Sequence, residues 1–480
     1  MVVVLGAIMS ILDVTVVNVA INHLSEDFHA PLSTIQWVAT GYTLSLATVI
    51  PITGWAADRF GTKRLYMTSI ALFIMGSALA GLAWSAQSLI AFRILQGLGG
   101  GMIMPAGMTI LTRAAGPQRV GQVMSVVGIP MLLGPITGPI LGGWLVDDIS
   151  WRWIFYINVP IGILALTLAL RILPRDRSQP THRLDFPGLL FLSPGLASLI
   201  YGLATGAEHS AFDSAQVLVP SIAGAVLICA FVVRALTAAM PLIDLRLFKR
   251  RSVAAASGTM VLFGCAFFGA MLLLPLYYQI VRGQSALHAG LLLAPQGFGA
   301  MVTMPIGGKL TDRVGPGRVV LVGLTLIVAA FTVFTTQLAA DTSFWLLGGM
   351  LFVMGLGMGM TMMPTMSAAF QTLSHDDVPR ASTAMNIIQQ VAGSIGTAAM
   401  SVLLGNALAA RLPGGGSGGG LGAAQHVPKQ ALAAFAPKIA DAFSHTYIWA
   451  LGLLLLAFIP ALLLPRRKQE TSVAGQPPTH

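Results

Sequence analysis

The chain has 480 residues, of which 55% are hydrophobic and only 9% are charged, and its mean hydropathy is +0.79. A soluble protein of this length would form about two or three domains with far more charge, so the composition excludes an ordinary globular protein. The net charge of +10 does not indicate nucleic-acid binding, because the basic residues are scattered over predicted loops and are not interleaved with aromatic residues.

Long apolar runs follow one another along the whole chain, separated by short polar loops. Roughly 20 apolar residues cross a bilayer as a helix, and the sequence contains about 14 runs of this kind. We therefore predict an all-α polytopic membrane protein. The predicted spans are 3–24, 36–57, 65–85, 88–111, 120–145, 153–173, 187–206, 216–236, 253–276, 286–309, 318–338, 343–368, 381–408 and 445–465.

The basic residues indicate how the predicted helices are oriented. Most of the 27 Lys and Arg residues fall on one set of alternate loops. The positive-inside rule therefore predicts that these loops and both termini are cytoplasmic. The opposite loops carry only Arg152, Arg282, Arg411, Lys429 and Lys438.

The first span contains Asp13, the one acidic residue predicted to lie within the membrane. A carboxylate there costs about 2.5–3.5 kcal/mol on insertion scales, so it should face the protein interior or a wet cavity, where it can carry a proton. The alternative is a structural carboxylate that only binds a neighbouring helix. Asn18 lies on a helix face turned away from Asp13, and we assign it to a substrate cavity.

A short loop after the second span recurs after the tenth. GWAADRFGTKR covers residues 54–64, and GKLTDRVGPGR covers residues 308–318. The duplication indicates an internal structural repeat of the kind from which transporters are built. The residues concerned are Gly54, Asp58, Arg59, Gly61 and Arg64 in the first loop, and Gly308, Asp312, Arg313 and Gly315 in the second.

The spacing of the two loops exceeds a six-helix repeat, so two further spans should separate the halves. We predict a six-helix bundle over residues 1–173, two inserted helices with basic connectors over residues 174–252, a second six-helix bundle over residues 253–465, and a cytoplasmic tail over residues 466–480.

The fourth span carries Arg93 and Gln96 on one helix face. Asp13 is the only formal counter-charge predicted at that depth, so we expect the two charges to pair in at least one conformation. Bonding of Arg93 to carbonyl groups or water is the alternative. Gln96 is assigned to the substrate cavity.

The fifth span contains GIPMLLGPITGPILGG, residues 128–143. Glycines four residues apart let another helix approach closely, and the prolines bend the helix. The span is interpreted as a packing surface and hinge, with tight packing alone as the alternative. The residues concerned are Gly128, Gly134, Pro135, Gly138, Pro139 and Gly142.

Two later spans contribute further candidate cavity residues. Asn386, Gln389 and Gln390 begin a polar stripe along the thirteenth span, which must contact protein or water, although polar contacts between helices are an equal alternative. The twelfth span is rich in methionine, and Met358 and Met362 are assigned to the cavity because flexible thioethers fit varied apolar ligands. A methionine-rich core is the alternative.

Nothing in the sequence indicates an enzyme. There is no metal-ligand cluster and no GxxxxGK[ST] phosphate-binding motif, so we predict no metal, no cofactor and no ATP-driven step. The segment LPGGGSGGG, within a predicted external loop over residues 409–444, is expected to be disordered.

Taken together, the paired GxxxDRxGxxxR loops, FRILQG in the fourth span and GPITGPILGG in the fifth resemble the signature motifs of the major facilitator superfamily. LDVTVVNVA, WRWIFYINVPIG and the number of spans are similar to its 14-helix drug:proton antiporter branch, the EmrB/QacA type. The resemblance implies proton-driven export of amphipathic compounds by alternating access, in a bacterial inner membrane. It assigns proton coupling to Asp13 and Arg93, and a cytoplasmic gate to the two repeated loops, which we call the gate loops. It also makes a periplasmic adaptor a candidate partner.

Two other functions fit the same motifs. One is a transporter of the same fold that exports a metabolite, lipid or siderophore. The other is a membrane sensor or scaffold that transports nothing, against which the intramembrane acid and the paired gate loops argue.

Overall fold

A computed structural model describes residues 2–115, 119–174, 183–209, 212–374, 377–411 and 429–466. Over these residues the regular structure is helical throughout. We number the membrane-length helices α1 Val2–Asp27, α2 Ser33–Phe60, α3 Thr62–Gly81, α4 Ala86–Ala115, α5 Val120–Asp148, α6 Trp153–Ile172, α7 Phe186–His209, α8 Ala215–Thr237, α9 Arg251–Val281, α10 Ala286–Val314, α11 Pro316–Thr336, α12 Phe344–Phe370, α13 Val378–Arg411 and α14 Lys429–Ala461.

The helices agree with the predicted spans in number and order. Twelve of those described are long and apolar enough to cross a membrane, and α1, bent by 42° between Val2–Val17 and Val19–Asp27, adds a thirteenth. Helix α5, with 29 residues, completes the set. The protein is therefore a multi-pass membrane protein with the predicted all-α fold.

One boundary differs clearly from the prediction. The last helix begins at Lys429 and runs for 33 residues, whereas the sequence predicted a span over 445–465. The stretch before residue 445 is rich in alanine, a strong helix former, so it extends the helix beyond the apolar run. The glycine-rich segment predicted to be disordered lies outside the described residues.

Two groups of six helices form the body of the molecule, and we call α1–α6 the N-terminal bundle and α9–α14 the C-terminal bundle. They meet along two seams, where α5 packs against α10 and where α13 packs against α2 and α4. We call the side that carries the start of α5 and the turns at Gly61 and Gly315 the inner side.

The inserted helix α7 covers the seam between α2 and α13. Ser193 donates a hydrogen bond to the Thr48 carbonyl of α2 at 2.6 Å, and Tyr201 stacks on Trp37 with 5.8 Å between the ring centroids. On the other side of the seam, Ser401 of α13 donates to the Ala207 carbonyl. Helix α7 thus contacts both bundles at once, and α8 packs on its outer face.

The glycines of α5 face α1. A methyl group on Gly134 or Gly138 would overlap the side chain of Ile11 or Thr15, and one on Gly142 would lie 3.2 Å from the Val16 carbonyl oxygen. Close approach of small residues is how helices associate in lipid, where no hydrophobic force drives them together. The glycine repeat therefore fixes α5 against the helix that carries Asp13.

We expect Gly138→Leu to lower the thermal stability of the purified protein. The added side chain must displace Thr15, and overpacking of a close contact costs about 1–3 kcal/mol. The matched control is Gly143→Leu on the same helix, where nothing lies within 4 Å of an added methyl group. Equal melting temperatures of the two variants, measured by fluorescence-detected size exclusion after heating, would contradict this packing role.

Candidate functional site

The only buried ion pair between two membrane-embedded charges in the described part of the chain joins α1 to α4. The Arg93 guanidinium donates to Asp13 Oδ2 at 2.6 Å, and the side chains of both residues are at most 1% exposed. The pairing expected from the sequence is present in this structure. Because lipid offers neither water nor counter-ions, each charge depends on the other for its stability.

Two side-chain amides, one from α4 and one from α6, complete the surroundings of Asp13. The side-chain amides of Gln96 and Asn158 donate to Asp13 Oδ1 at 2.8 and 3.1 Å. Asn158 also donates to Ser77 Oγ at 3.1 Å, and this hydroxyl donates to the Phe155 carbonyl. Side chains of α1, α4 and α6 therefore meet at this carboxylate, and α3 joins the network through Ser77.

Arg93 has its own set of contacts. It donates to Gln96 Oε1 at 2.8 Å and to the Val38 carbonyl at 3.2 Å, and its guanidinium carbon lies 4.0 Å from the centre of the Tyr42 ring. The aromatic face favours a nearby cation. The arginine therefore keeps several partners if the carboxylate becomes neutral.

A central cavity of about 360 Å³ lies between the two bundles. Ser10 and Ile11 of α1 line it, so the cavity is within one helical turn of Asp13, which lies behind the wall. No lining residue is charged. The remaining lining residues are Leu46, Ile50, Gly100, Gly101, Met104, Pro105, Phe268, Asn386, Gln389, Gln390, Gly393, Ser394 and Thr397.

Of the residues that the sequence assigned to a cavity, those of the polar stripe of α13 line the central cavity. Asn386, Gln389 and Gln390 all line the cavity, and the Asn386 amide donates to the Ser382 carbonyl at 2.8 Å. Uncharged amides can hydrogen bond to a ligand without requiring that it carry a charge. The side chains of Asn18, Pro135 and Pro139 lie outside the described part of the structure.

Three other residues assigned to the cavity lie elsewhere. Gln96 is fully buried against Asp13 and Arg93, because the helix face it shares with Arg93 turns into the bundle. Met358 and Met362 are 2% and 3% exposed in the core of the C-terminal bundle, and Met358 Sδ accepts a hydrogen bond from Gln296. The methionine-rich span is thus core at these positions.

The second gate loop caps a helix of the opposite bundle. The carboxylate of Asp312 accepts hydrogen bonds from the backbone N–H groups of Gly121 and Gln122, both at 3.0 Å, in the first turn of α5. A carboxylate satisfies the free N–H groups there and is stabilised by the helix dipole. Gly308 lies against the Gly121 carbonyl, where any larger side chain would clash.

The first gate loop contacts the start of α13. Asp58 lies 3.7 Å from Arg380 Nε, and Gly54 faces the backbone of Pro379 and Arg380. Both loops turn at a glycine with positive φ, 88° at Gly61 and 92° at Gly315, a conformation that side chains rarely adopt. Arg59, Arg64 and Arg313 are exposed on the inner surface.

Contacts between the two bundles lie beside the central cavity, on its inner side. Ser382 of α13 donates to the Pro105 carbonyl of α4 at 2.9 Å, beside residues that line the cavity. On the other seam, a methyl group on Gly128 would lie 2.6 Å from Met304 and 2.8 Å from Met363. These contacts and the two gate loops join the bundles on the inner side.

Sequence reasoning missed Tyr42, Ser77 and Asn158 as parts of the charged cluster. Asn158 is one of few polar residues in an apolar span, which is a signal for a buried contact. Tyr42 and Ser77 offered no such signal, since their types and spacing are common in any membrane helix. The described residues contain no group of His, Cys, Asp and Glu that could hold a metal ion.

Two helical bundles around a central cavity, with a buried ion pair beside it, define a membrane protein built to move small molecules. Residues 3–397 match the Major Facilitator Superfamily. The chain belongs to this family, as the sequence motifs indicated.

Named relatives span nearly the whole chain. It is 45% identical to the Multidrug resistance protein B homolog of Mycobacterium tuberculosis over 97% of this chain and 89% of the relative. It is 31% identical to the Multidrug export protein EmrB of Escherichia coli over 84% of this chain and 79% of that relative.

Two solved structures share the fold. The human organic anion transporter MFSD10 superposes with a TM-score of 0.60 at 16% identity, over 96% of this chain and 98% of that chain. The proton:xylose symporter XylE superposes with a TM-score of 0.60 at 13% identity, over 95% and 94%. These likenesses show the major facilitator fold.

We expect Asp312→Asn to shift the protein toward conformations open on the inner side. A hydrogen bond to a charged group contributes about 1.5–3 kcal/mol, so the inner-open population should rise about tenfold. Spin labels at exposed Arg119 and Lys309, in a variant without Cys229 and Cys265, would report the separation of the bundles. The control is Asp244→Asn, which weakens a similar bond to a backbone N–H within one segment. An unchanged distance distribution in Asp312→Asn would contradict the gate role.

Proposed function

We propose that the protein is a proton-driven antiporter that exports amphipathic or lipophilic compounds from bacteria. The observation that carries the proposal is the position of the Asp13–Arg93 pair within one helical turn of Ser10 and Ile11, the residues of α1 that line an uncharged cavity. The names of the relatives, multidrug resistance protein B homolog and multidrug export protein EmrB, support drugs as the exported class.

The proposed coupling acts through the charge on Asp13. Binding of a proton neutralises the carboxylate and removes its attraction for Arg93, while release of the proton restores the pair. Breaking a buried pair by removing one charge costs about 3–5 kcal/mol, which is enough to bias two arrangements of the bundle. One charge that crosses a potential of 100 mV supplies about 2.3 kcal/mol, so the proton gradient suffices as the energy source.

Substrate and proton would communicate through α1. It lines the cavity at Ser10 and Ile11, carries Asp13 of the ion pair within one further turn, and packs against α5 at Ile11 and Thr15. A ligand that displaces α1 must therefore change the geometry of the ion pair. In this scheme neither a cofactor nor ATP is required, and no periplasmic adaptor is needed for the transport step itself.

The inner side is assigned to the cytoplasm, as the positive-inside rule predicts, with both termini on that side. The structure then corresponds to a state closed to the cytoplasm. Opening requires that Asp312 leave the start of α5 and that Asp58 separate from the start of α13. The two bundles would rock about the central cavity between these states.

We expect Asp13→Asn to abolish substrate accumulation driven by a pH gradient while leaving substrate exchange. The carboxamide keeps the size of the side chain but cannot release a proton, so uptake into inverted proteoliposomes should fall at least about tenfold. The control is Asp185→Asn, a buried carboxylate paired with Arg234 at 3.2 Å outside the two bundles. Retained proton-coupled uptake in Asp13→Asn would refute the coupling role.

The cargo is tested separately, at the polar stripe of α13. We expect Gln389→Leu to change the relative resistance to different toxic compounds by about tenfold, because an amide bond to a ligand contributes about 0.5–1.5 kcal/mol and leaves an unpaired group when lost. Met358→Leu, outside the cavity, should leave the profile unchanged. The measurement is growth inhibition of a sensitised strain that expresses each variant.

A metabolite, lipid or siderophore would replace drugs as the cargo if the wild-type protein confers no resistance to any compound. Loss of a secreted metabolite from a deletion strain would support that alternative. Absence of exchange with every substrate tested would favour a sensor or scaffold instead.

A further inference from the structure

A second cavity lies on the inner side of the C-terminal bundle, apart from the transport site. It has a volume of about 700 Å³ and is bounded by the start of α9, the segment between α12 and α13, and the end of α14. Its lining residues are Arg250, Arg251, Ser252, Thr372, Leu462, Leu463, Leu464, Pro465 and Arg466. Three of these nine residues are arginines, and none is acidic.

The arginines have different roles in the cavity wall. Arg250 donates to the Thr372 carbonyl at 2.7 Å and pairs with Asp377 at 3.3 Å, so it holds the α12–α13 segment in place. Arg251 and Arg466 are exposed and carry positive charge that no acidic lining residue balances. The cavity therefore has an excess of positive charge at its mouth.

The start of α9 places hydrogen-bond donors beside the arginines of the cavity. Arg250 precedes the helix, and no side chain caps its first turn. The Ser252 and Thr372 hydroxyls lie 2.8 Å apart at the cavity wall. Arginines, hydroxyls and a helix start together favour a ligand with several acceptor oxygens and a negative charge, such as a phosphate group.

The opposite wall of the cavity is apolar. Leu462 and Leu463 are 48% and 46% exposed at the end of α14, where the helix leaves the membrane. Free phosphate would gain nothing from these side chains. A phospholipid would bury them against its acyl chains and place its headgroup among the arginines.

We propose that this cavity binds the phosphodiester headgroup of an anionic phospholipid. Arg251 and Arg466 contact the phosphate, Arg250 positions the wall, and Leu462 and Leu463 contact the upper acyl chains. Basic pockets between helices at the cytoplasmic surface are suited to anionic headgroups. The site is independent of what the central cavity transports.

The location gives such a lipid access to the gate. Asp377, held by Arg250, lies three residues before Arg380, the partner of Asp58. The Pro465 carbonyl accepts a hydrogen bond from the Gly317 N–H at 2.8 Å, two residues after the turn at Gly315. A bound lipid would therefore contact two segments, each of which contacts one of the gate loops or lies beside it.

The test compares two double variants with the same change in charge. Arg251→Gln with Arg466→Gln removes the two unbalanced charges of the cavity. Arg246→Gln with Lys249→Gln removes two charges from the same basic connector, at residues that do not line the cavity. Each purified protein is titrated in nanodiscs of phosphatidylcholine with phosphatidylglycerol, and bound lipid is counted by native mass spectrometry.

The cavity variant is expected to bind phosphatidylglycerol roughly 30-fold more weakly than the wild type, given the attraction of each basic residue for an anionic surface. The control variant should change by less than about threefold, since its charges lie outside the cavity. Equal loss in both variants would overturn the site. Displacement of the lipid by millimolar inorganic phosphate would overturn the assignment to a lipid and favour free phosphate.

Discussion

The buried pair between Asp13 and Arg93 is the interaction on which the rest of the structure depends. Two full charges in a lipid-embedded bundle are stable only while they satisfy each other, together with the amides and carbonyl group around them. Side chains of three helices, α1, α4 and α6, meet at the carboxylate. In the proposed mechanism, a proton on Asp13 would remove the charge that compensates the arginine.

Helix α5 connects the helix that carries Asp13 with the inner surface. Its outer half lies against α1 at Gly134 and Gly138, and its middle meets the C-terminal bundle at Gly128. Its first turn is capped by Asp312. One helix therefore contacts both the helix that carries Asp13 and the opposite bundle at the inner surface. Glycine is required along it because two close contacts on different faces leave no space for side chains.

Composition and periodicity predicted the helices and their order, since apolar runs of membrane length have few alternative structures. Asp13 and Arg93 could be paired from the sequence because they were the two formal charges at that depth. The placement of Gln96 could not be predicted in this way. Periodicity showed that it shares a face with Arg93, but not whether that face turns toward the cavity or into the bundle.

The assignment of the α12 methionines to the cavity differs from the structure for a related reason. A methionine such as Met358 fits an apolar core as well as a binding site. Which neighbours surround a helix depends on the packing of the whole bundle, and no local pattern encodes it. Tyr42 is a site residue that the sequence did not single out, for the same reason. Its contact with Arg93 depends on the position of α2 relative to α4, and a tyrosine in a membrane helix is otherwise unremarkable in sequence.

The two gate loops repeat the same backbone turn in both halves of the chain. Gly61 and Gly315 have nearly identical backbone angles, with φ of 88° and 92° and ψ of 144° and 146°. The acids that precede them each reach the start of a helix in the opposite bundle, where Asp312 binds backbone N–H groups of α5 and Asp58 lies beside the Arg380 side chain of α13. A glycine at positive φ admits almost no substitution, and a carboxylate at a helix start is stabilised by the helix dipole. The two halves of the gate thus share one backbone turn, which places an acid at a helix start of the opposite bundle.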